Sequence, residues 1–301
     1  MIAAAIDLGT NTFHLIIAKS DGGERGEPEI LFKTNLPVRL GEARINQQEI
    51  IPAAFERGLL ALEGFAEEIK KHNVDAVKAV ATAAVRSAAN GQAFVDAAKD
   101  RAGITIEIIS GEEEAAYIFK GVEATGLVTD CSLIMDIGGG STEFIICKPG
   151  EVLWKHSYNI GAARLMQGFF KSDPLSAEEK EAIIKHLDTE LPELFKQCAK
   201  WQPQLLIGSA GAFESYAAML NPGNHNASIA ITPFRTLADK LFKSTHDERT
   251  KMEGLIPLRV DMIVMAALLT NYVLDHAGIP ELKLSTYDLK IGVLYSLLKC
   301  S

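Results

Sequence analysis

The chain has 301 residues, 48% of them hydrophobic and 23% charged, with 24 glycines and 11 prolines; this excludes collagen-like, disordered and disulfide-framework classes and points to two domains. Thirty basic against 39 acidic residues leave a net charge of −9, which argues against nucleic-acid and membrane partners while allowing a local anion pocket. The four cysteines (Cys131, Cys147, Cys198, Cys300) form no C-x-x-C pair, the N-terminus lacks the basic flank of a signal peptide, and the longest apolar run, Met262 to Thr270, is too short to span a bilayer, so a cytoplasmic location is expected.

In chain order, Ile2 to Ile6 reads as a short buried strand followed by a turn at Gly9-Thr10-Asn11. A second strand, Phe13 to Ala18, leads into the hairpin signal Asp21-Gly22-Gly23, and a third lies near Glu29 to Lys33. Pro52 suits a first helical turn, and Phe55, Leu59, Leu62, Ala66 and Ile69 form one apolar helix face. A strand (Ala76 to Ala81), a helix (Gln92 to Ala102), a strand (Ile104 to Ile109) and a helix (Glu112 to Gly121) follow. The second passage repeats this order. Leu133 to Ile137 is a strand, then come a glycine turn, a strand from Glu143 to Cys147, a Pro149-Gly150 hairpin and a strand to Tyr158. Helices are expected over Ala162 to Phe170 and Ala177 to Lys200, then a strand at Leu205 to Ile207 and a helix after Gly211. A polar loop from Pro222 to Thr232, helices over Phe234 to Lys243 and Arg259 to His276, a strand at Leu282 to Ser285 and a helix to Lys299 complete the chain.

Strands alternating with helices argue an α/β chain with mixed sheets. A shift of 129 positions superimposes the two glycine turns: Asp7 falls on Asp136, Gly9 on Gly138, Thr12 on Ser141 and Lys19 on Lys148. Short apolar-Asp-apolar-Gly strings recur by chance, but the matching element order favours a duplication, with two lobes facing each other across a cleft.

Each glycine turn, Asp7-Leu-Gly-Thr-Asn-Thr12 and Asp136-Ile-Gly-Gly-Gly-Ser-Thr-Glu143, follows a strand-end carboxylate. Glycines let backbone N–H groups approach an anion, and Thr10, Thr12, Ser141 and Thr142 add hydroxyls. An aspartate beside a phosphate makes sense when a divalent cation or its water lies between them. A plain hairpin turn explains the glycines but not two strand-end aspartates with hydroxyls. The third turn, Gly208-Ser209-Ala210-Gly211, is either an anion contact at a helix N-terminus or a packing turn. Three glutamates, Glu112 to Glu114, open a helix, where the macrodipole alone accounts for them. Arg86 is either an exposed charge or a planar fork for phosphate. No histidine metal motif, serine-hydrolase elbow or Walker loop occurs.

Taken together, Asp7-Leu-Gly-Thr-Asn-Thr-Phe-His14, Arg39-Leu-Gly41, Ala81-Thr-Ala-Ala-Val-Arg86 with Asn90-Gly91, Ser110-Gly-Glu-Glu-Glu-Ala115, the Asp136–Glu143 run and Gly208-Ser-Ala-Gly211 resemble the exopolyphosphatase/guanosine pentaphosphate phosphatase family, over nearly the whole chain. The resemblance implies two ribonuclease-H-like (actin-like ATPase) lobes, 1–122 and 123–301, around a phosphate-binding cleft, with the last helix (287–300) able to pack back toward the first lobe. It implies Glu114 as catalytic base and Glu143 as a second essential glutamate. Asp136 and Glu143 become magnesium-site residues, with Asp7 a further candidate. Thr10, Asn11, Thr12, Arg86, Gly138, Gly139, Gly140, Ser141, Gly208, Ser209 and Gly211 become phosphate-binding. The family's C-terminal Arg and Glu are replaced by Lys290 and Ile291, an altered segment read either as an apolar stripe or, the reading favoured, as weakened substrate contact on the second lobe.

The activity so implied is magnesium-dependent release of terminal orthophosphate from inorganic polyphosphate. Guanosine pentaphosphate is the rival substrate, and a non-catalytic polyphosphate or alarmone sensor the rival class. A homodimer is compatible with the sequence, which does not decide the oligomeric state.

Overall fold

In a computed structural model of the protein, residues 1–20, 28–222 and 228–298 are described. The Asp21-Gly22-Gly23 signal, the middle of the Pro222 to Thr232 loop and Lys299 lie outside them.

The first sheet starts as a meander because three β-prone runs are separated by turns: β1 (Ile2–Leu8), β2 (Phe13–Lys19) and β3 (Glu29–Leu36) are antiparallel neighbours. Helix α1 (Pro52–Lys71) then crosses over to β4 (Ala76–Ala81), which lies parallel to β1. A one-turn helix α2 (Ala83–Arg86), α3 (Gly91–Ala102), β5 (Ile106–Ile108) and α4 (Gly111–Glu123) follow. The sheet order is β3-β2-β1-β4-β5.

The second sheet is built the same way. β6 (Ser132–Ile137), β7 (Thr142–Lys148) and β8 (Glu151–Tyr158) form the meander. Three helices, α5 (Ala162–Phe169), α6 (Ala177–Glu190) and α7 (Pro192–Trp201), lead to β9 (Leu205–Ser209), parallel to β6. Next come α8 (Gly211–Leu220), α9 (Ile231–Lys243), α10 (His246–Arg249), a 3-10 turn (Pro257–Arg259), α11 (Ile263–Ala277), β10 (Glu281–Leu284) and α12 (Leu289–Leu298). The order β8-β7-β6-β9-β10 mirrors the first sheet strand for strand. Each sheet therefore has the ribonuclease-H-like order, and two copies in one chain give the α/β, actin-like ATPase architecture.

The duplication extends to register. Asp7 sits opposite His14 on β2 and Val80 on β4, and Asp136 opposite Glu143 on β7 and Ser209 on β9. Both central hairpins slip register at equivalent places, Ile17/Ala18 and Ile146/Cys147.

The chain divides into one unit of Met1–Gly121 with the segment from Leu289, and a second of Val122–Asp288. The expected second lobe, 123–301, thus gives up α12. The reason lies in β1. Its Ala4, Ile6 and Leu8 face a core with Leu59, Leu62 and Phe65 of α1 and Phe94 of α3, so strand alternation turns Ala3, Ala5 and Asp7 to the opposite face. There α12 packs, and alanines let a helix approach closely. On its other flank, a Cβ on Gly292 would fall 1.8 Å from the carbonyl oxygen of Tyr117 in α4. Lys290 and Ile291 are both buried in this helix, so the altered C-terminal segment belongs to the first unit rather than to the second lobe.

Among the departures from expectation, three boundaries trace to prolines. The helix expected over Ala177 to Lys200 is broken because Pro192, lacking an N–H, starts a new helix after Leu191. The helix expected from Arg259 is a 3-10 turn on Pro257 and then α11. Helix α9 begins at Ile231, inside the expected loop, because Pro233 is tolerated in a first turn whose N–H groups have no intrahelical acceptor. Cys131, Cys147 and Cys198 are free and buried, and burial pushes the Cys147 and Cys198 thiols up to about 12. No helix among the described residues is long and apolar enough to cross a membrane.

Candidate active site

The apolar run of β6 ends at Asp136 and Ile137, and the chain then reverses through Gly138-Gly139-Gly140-Ser141 into β7. The Gly138 N–H donates to the Ser141 carbonyl at 3.0 Å, closing the turn. Helix α5 is seated on the loop: the N–H groups of Ala162, Ala163 and Arg164 donate to the Gly138 and Gly139 carbonyls at 2.9–3.1 Å, and Arg164 Nε donates to Gly140 O at 3.0 Å. Donors that a helix start leaves unsatisfied thus hold the glycine loop in one shape.

Across the strand ends runs a row of polar side chains on one face of the sheet. Asp136 and Glu143 are direct cross-strand partners, so their side chains are neighbours. The row is extended at both sides, where Ser209 Oγ donates to Asp136 Oδ2 at 2.8 Å and Ser157 Oγ to Glu143 Oε1 at 2.6 Å. Asp136, Glu143 and Ser209 are all buried. The apolar side chains of Leu133, Met135, Ile137, Phe144 and Ile146 occupy the opposite face as core, which is why the carboxylates share a side.

The third turn joins β9 to α8. Ala210 sits at φ 67°, ψ −174°, a region suited to glycine and costly for alanine, by about 1–3 kcal/mol. Such strain persists only where the surroundings enforce it. At the next residue, the Arg259 guanidinium lies so close to Gly211 that a Cβ there would fall 2.6 Å from Nε and Nη2. Arg259 is held by Glu214 (2.6 Å) and by Ser215 Oγ (3.1 Å).

In the first unit the Gly9 N–H donates to Thr12 O at 3.2 Å, the counterpart of the Gly138–Ser141 bond. Backbone N–H groups of Arg39 and Gly41 donate to Asn11 O (2.8 Å) and Thr10 O (3.0 Å), clasping the turn. Where the second unit pairs Asp136 with Glu143, the first pairs Asp7 with His14: the two turns share geometry but differ in charge.

Glu114 opens α4, 6% exposed, and its Oε2 accepts from Arg86 Nη1 at 2.8 Å. Burial pushes the Glu114 carboxyl up, and the charge and hydrogen bond of Arg86 oppose that. Its neighbour Glu113 caps the helix instead, accepting from the Ser110 N–H and Oγ at 2.8 Å each. Two members of the glutamate triplet therefore part company, Glu113 capping the helix and Glu114 turning inside.

The structure thus gathers Asp136, Glu143, Ser209 and the Gly138–Ser141 turn within one unit, Arg86 with Glu114 in the other, and Thr10, Asn11 and Thr12 on a separate turn there. Sequence reading missed Ser157, Arg164 and Arg259. The hairpin register could have found Ser157, opposite Glu143; Arg259 is brought to Gly211 only by the fold.

Two adjacent buried carboxylates flanked by hydroxyls offer only hard oxygen donors, and no group of three His, Cys, Asp or Glu able to cage a metal occurs among the described residues. Such a set fits magnesium, which keeps much of its shell as water and phosphate oxygens.

The twin sheets define the chain as one of the actin-like ATPase fold class. Within that class it belongs to the Ppx/GppA phosphatase family, which matches residues 16–301. A Haemophilus influenzae protein provisionally named an exopolyphosphatase is 30% identical over 98% of this chain and 91% of its own length. A guanosine-5'-triphosphate,3'-diphosphate pyrophosphatase of Photobacterium profundum is 28% identical, and the chain spans 59% of that relative's length. The crystal structure of an exopolyphosphatase from Cytophaga hutchinsonii is 36% identical with a TM-score of 0.94, covering 100% of this chain and 98% of that one. The Aquifex aeolicus PPX-GPPA enzyme is 26% identical with a TM-score of 0.82, covering 98% and 99%.

Proposed function

We propose that the protein is a phosphoanhydride hydrolase that releases terminal orthophosphate from inorganic polyphosphate. The observation that carries this reading is the buried Asp136–Glu143 pair beside the Gly138–Ser141 turn, an arrangement suited to a cation and a phosphate together. Asp136 and Glu143 are the residues that would hold magnesium, which when bound supplies positive charge against the phosphate oxygens.

This chain's own residues account for the rest. Ser209 and Ser157 orient the two carboxylates by hydrogen bonds. The turns at Thr10-Asn11-Thr12, Gly138–Ser141 and Gly208-Ser209-Ala210-Gly211 bind phosphate oxygens through N–H and hydroxyl groups. Glu114 accepts a proton from water as the water oxygen bonds to the terminal phosphorus. The bridging P–O bond breaks, and the shortened chain leaves with the bridging oxygen as an anion. No covalent enzyme intermediate is needed.

Polyphosphate is preferred because the relatives named for it match this chain over nearly their whole length. Guanosine pentaphosphate stands second, on the name of a relative of which this chain spans 59%. The deciding experiment is phosphate release from long-chain polyphosphate and from guanosine pentaphosphate, side by side, with and without magnesium. Faster release from polyphosphate is expected; silence on both substrates would leave a non-catalytic sensor.

A further inference from the structure

Arg86 ends α2, and its guanidinium is turned inward toward the start of α4. A single nitrogen, Nη1, donates to Glu114 Oε2 at 2.8 Å and to the Ile109 carbonyl at 3.0 Å. Ile109 lies just before α4 and Glu114 in its first turn, so the arginine spans the point where the helix begins. Helix α2 is itself anchored: the Arg86 N–H donates to Thr82 O at 2.9 Å, and Thr82 Oγ1 donates to Leu8 O at 3.2 Å, inside the protein. An unbroken hydrogen-bonded path therefore runs from the end of β1, where the first glycine turn springs, to the Glu114 carboxylate. The side chains of Arg86 and Glu114 are 24% and 8% exposed, and a pair so covered is weakly screened by salt.

We infer that Arg86 is a positioning residue for Glu114, holding Oε2 in one orientation and keeping the carboxylate ionised so that its other oxygen can take the proton of the attacking water. The inference rests on the assignment of Glu114 as the base. A carboxylate withdrawn from water is costly to ionise, and burial pushes Glu114 up while Arg86 pulls it down. Other charges around it are engaged elsewhere. Glu113 on the same helix turns to Ser110. Lys78 on β4 pairs with Glu107 on β5 at 2.9 Å and, with Lys120, lies over the Tyr117 ring. Arg86 is the group whose charge and hydrogen bond act on Glu114.

The test is the pH–rate profile of Arg86→Gln and Arg86→Lys, paired with a carbon-13 titration of the Glu114 carboxyl in the same proteins. Removing the arginine removes a downward pull, so the acid limb of kcat and the carboxyl midpoint should both move up, by about 1–3 pH units for Arg86→Gln. Arg86→Lys, which keeps charge but not the fork, should move them less. KM should stay within about twofold at a pH above the limb. If Arg86→Gln does not fold, Arg86→Lys carries the same comparison. An unmoved limb with KM raised at every pH would make Arg86 a phosphate ligand and overturn the inference. The titration needs no turnover, so a wild-type protein silent on both substrates would sink the hydrolase reading, while the carboxyl midpoint would still decide whether Arg86 governs Glu114.

Discussion

Glu114 and Glu113 are adjacent and identical in chemistry, yet one caps a helix and the other is buried against an arginine. Their substitution should separate them. Glu114→Gln keeps the shape but cannot accept a proton, so phosphate release should fall about 10²–10⁴-fold, measured at saturating substrate with circular dichroism confirming the fold. Turnover close to wild type would return Glu114 to the role of a helix-start charge. Ile291 and Gly292 set a different kind of residue test. Ile291 is 7% exposed, so Ile291→Glu, which restores the family's usual carboxylate, buries a charge and should cost about 3 kcal/mol or more in urea unfolding. The burial of Ile291 supports the apolar-stripe reading of the altered segment, and an unchanged unfolding free energy in Ile291→Glu would favour the reading of weakened substrate contact. Gly292→Ala drives a methyl into the Tyr117 carbonyl, and the helices must separate, at about 1–3 kcal/mol. An unchanged denaturation midpoint would mean that α12 does not press on α4.

At the scale of elements, α5 and α6 both start where the sequence places them, at Ala162 and Ala177, but only α6 carries its cap in its own side chains. The Ser176-x-x-Glu179 box opens α6, with Glu179 accepting from Ser172 Oγ and from the N–H groups of Lys171, Ser172 and Ser176. Burial raises the Glu179 carboxyl and these hydrogen bonds outweigh it, bringing it down to about 2. A depressed carboxyl stabilises the fold above the ordinary glutamate range, and that contribution is lost as pH falls toward 2. Glu179→Gln should therefore cost about 1 kcal/mol at pH 7, with the gap from wild type closing in thermal melts taken toward pH 2. A gap independent of pH would show that shape rather than charge matters at this cap. Helix α5, by contrast, starts on the carbonyls of the glycine loop, and nothing in Gly161-Ala162-Ala163 announces that partner.

For the molecule as a whole, the prediction concerns the cation and ionic strength. Magnesium bound to the folded protein alone must raise its stability, by about 2.7 kcal/mol at a hundredfold excess over the dissociation constant. Thermal melts should show that rise in the wild type and lose it in Asp136→Asn and Glu143→Gln. A wild-type melt indifferent to magnesium would remove both carboxylates from a metal role. With a net charge of −9, the protein must attract a polyanion through local groups, screened over about 8–10 Å at physiological salt. Phosphate release should accordingly fall with added salt, more steeply for long polyphosphate than for a nucleotide.

Sequence alone determined the duplicated α/β plan, because strand periodicity and glycine turns are local and the offset of 129 residues preserves them. Local pattern marked Asp136 as a strand-end carboxylate, while Glu114 and Glu143 were singled out only by the family resemblance, the helix macrodipole alone accounting for three glutamates at a helix start. It did not determine which carboxylates meet which partners. Ser209 reaches Asp136 because β9 inserts beside β6 in one register, Arg86 reaches Glu114 because α2 and α4 both spring from strand ends of one sheet, and Arg259 reaches Gly211 across a long stretch of chain. Apart from the resemblance, which allowed the last helix to pack back toward the first lobe, it gave no physical reason for the place of α12. An apolar helix can cover either sheet, and only the alanine face of β1 and the bare Gly292 surface make the first unit the one it fits. Local pattern fixes the elements, whereas close packing, which admits one partner at each surface, selects their contacts.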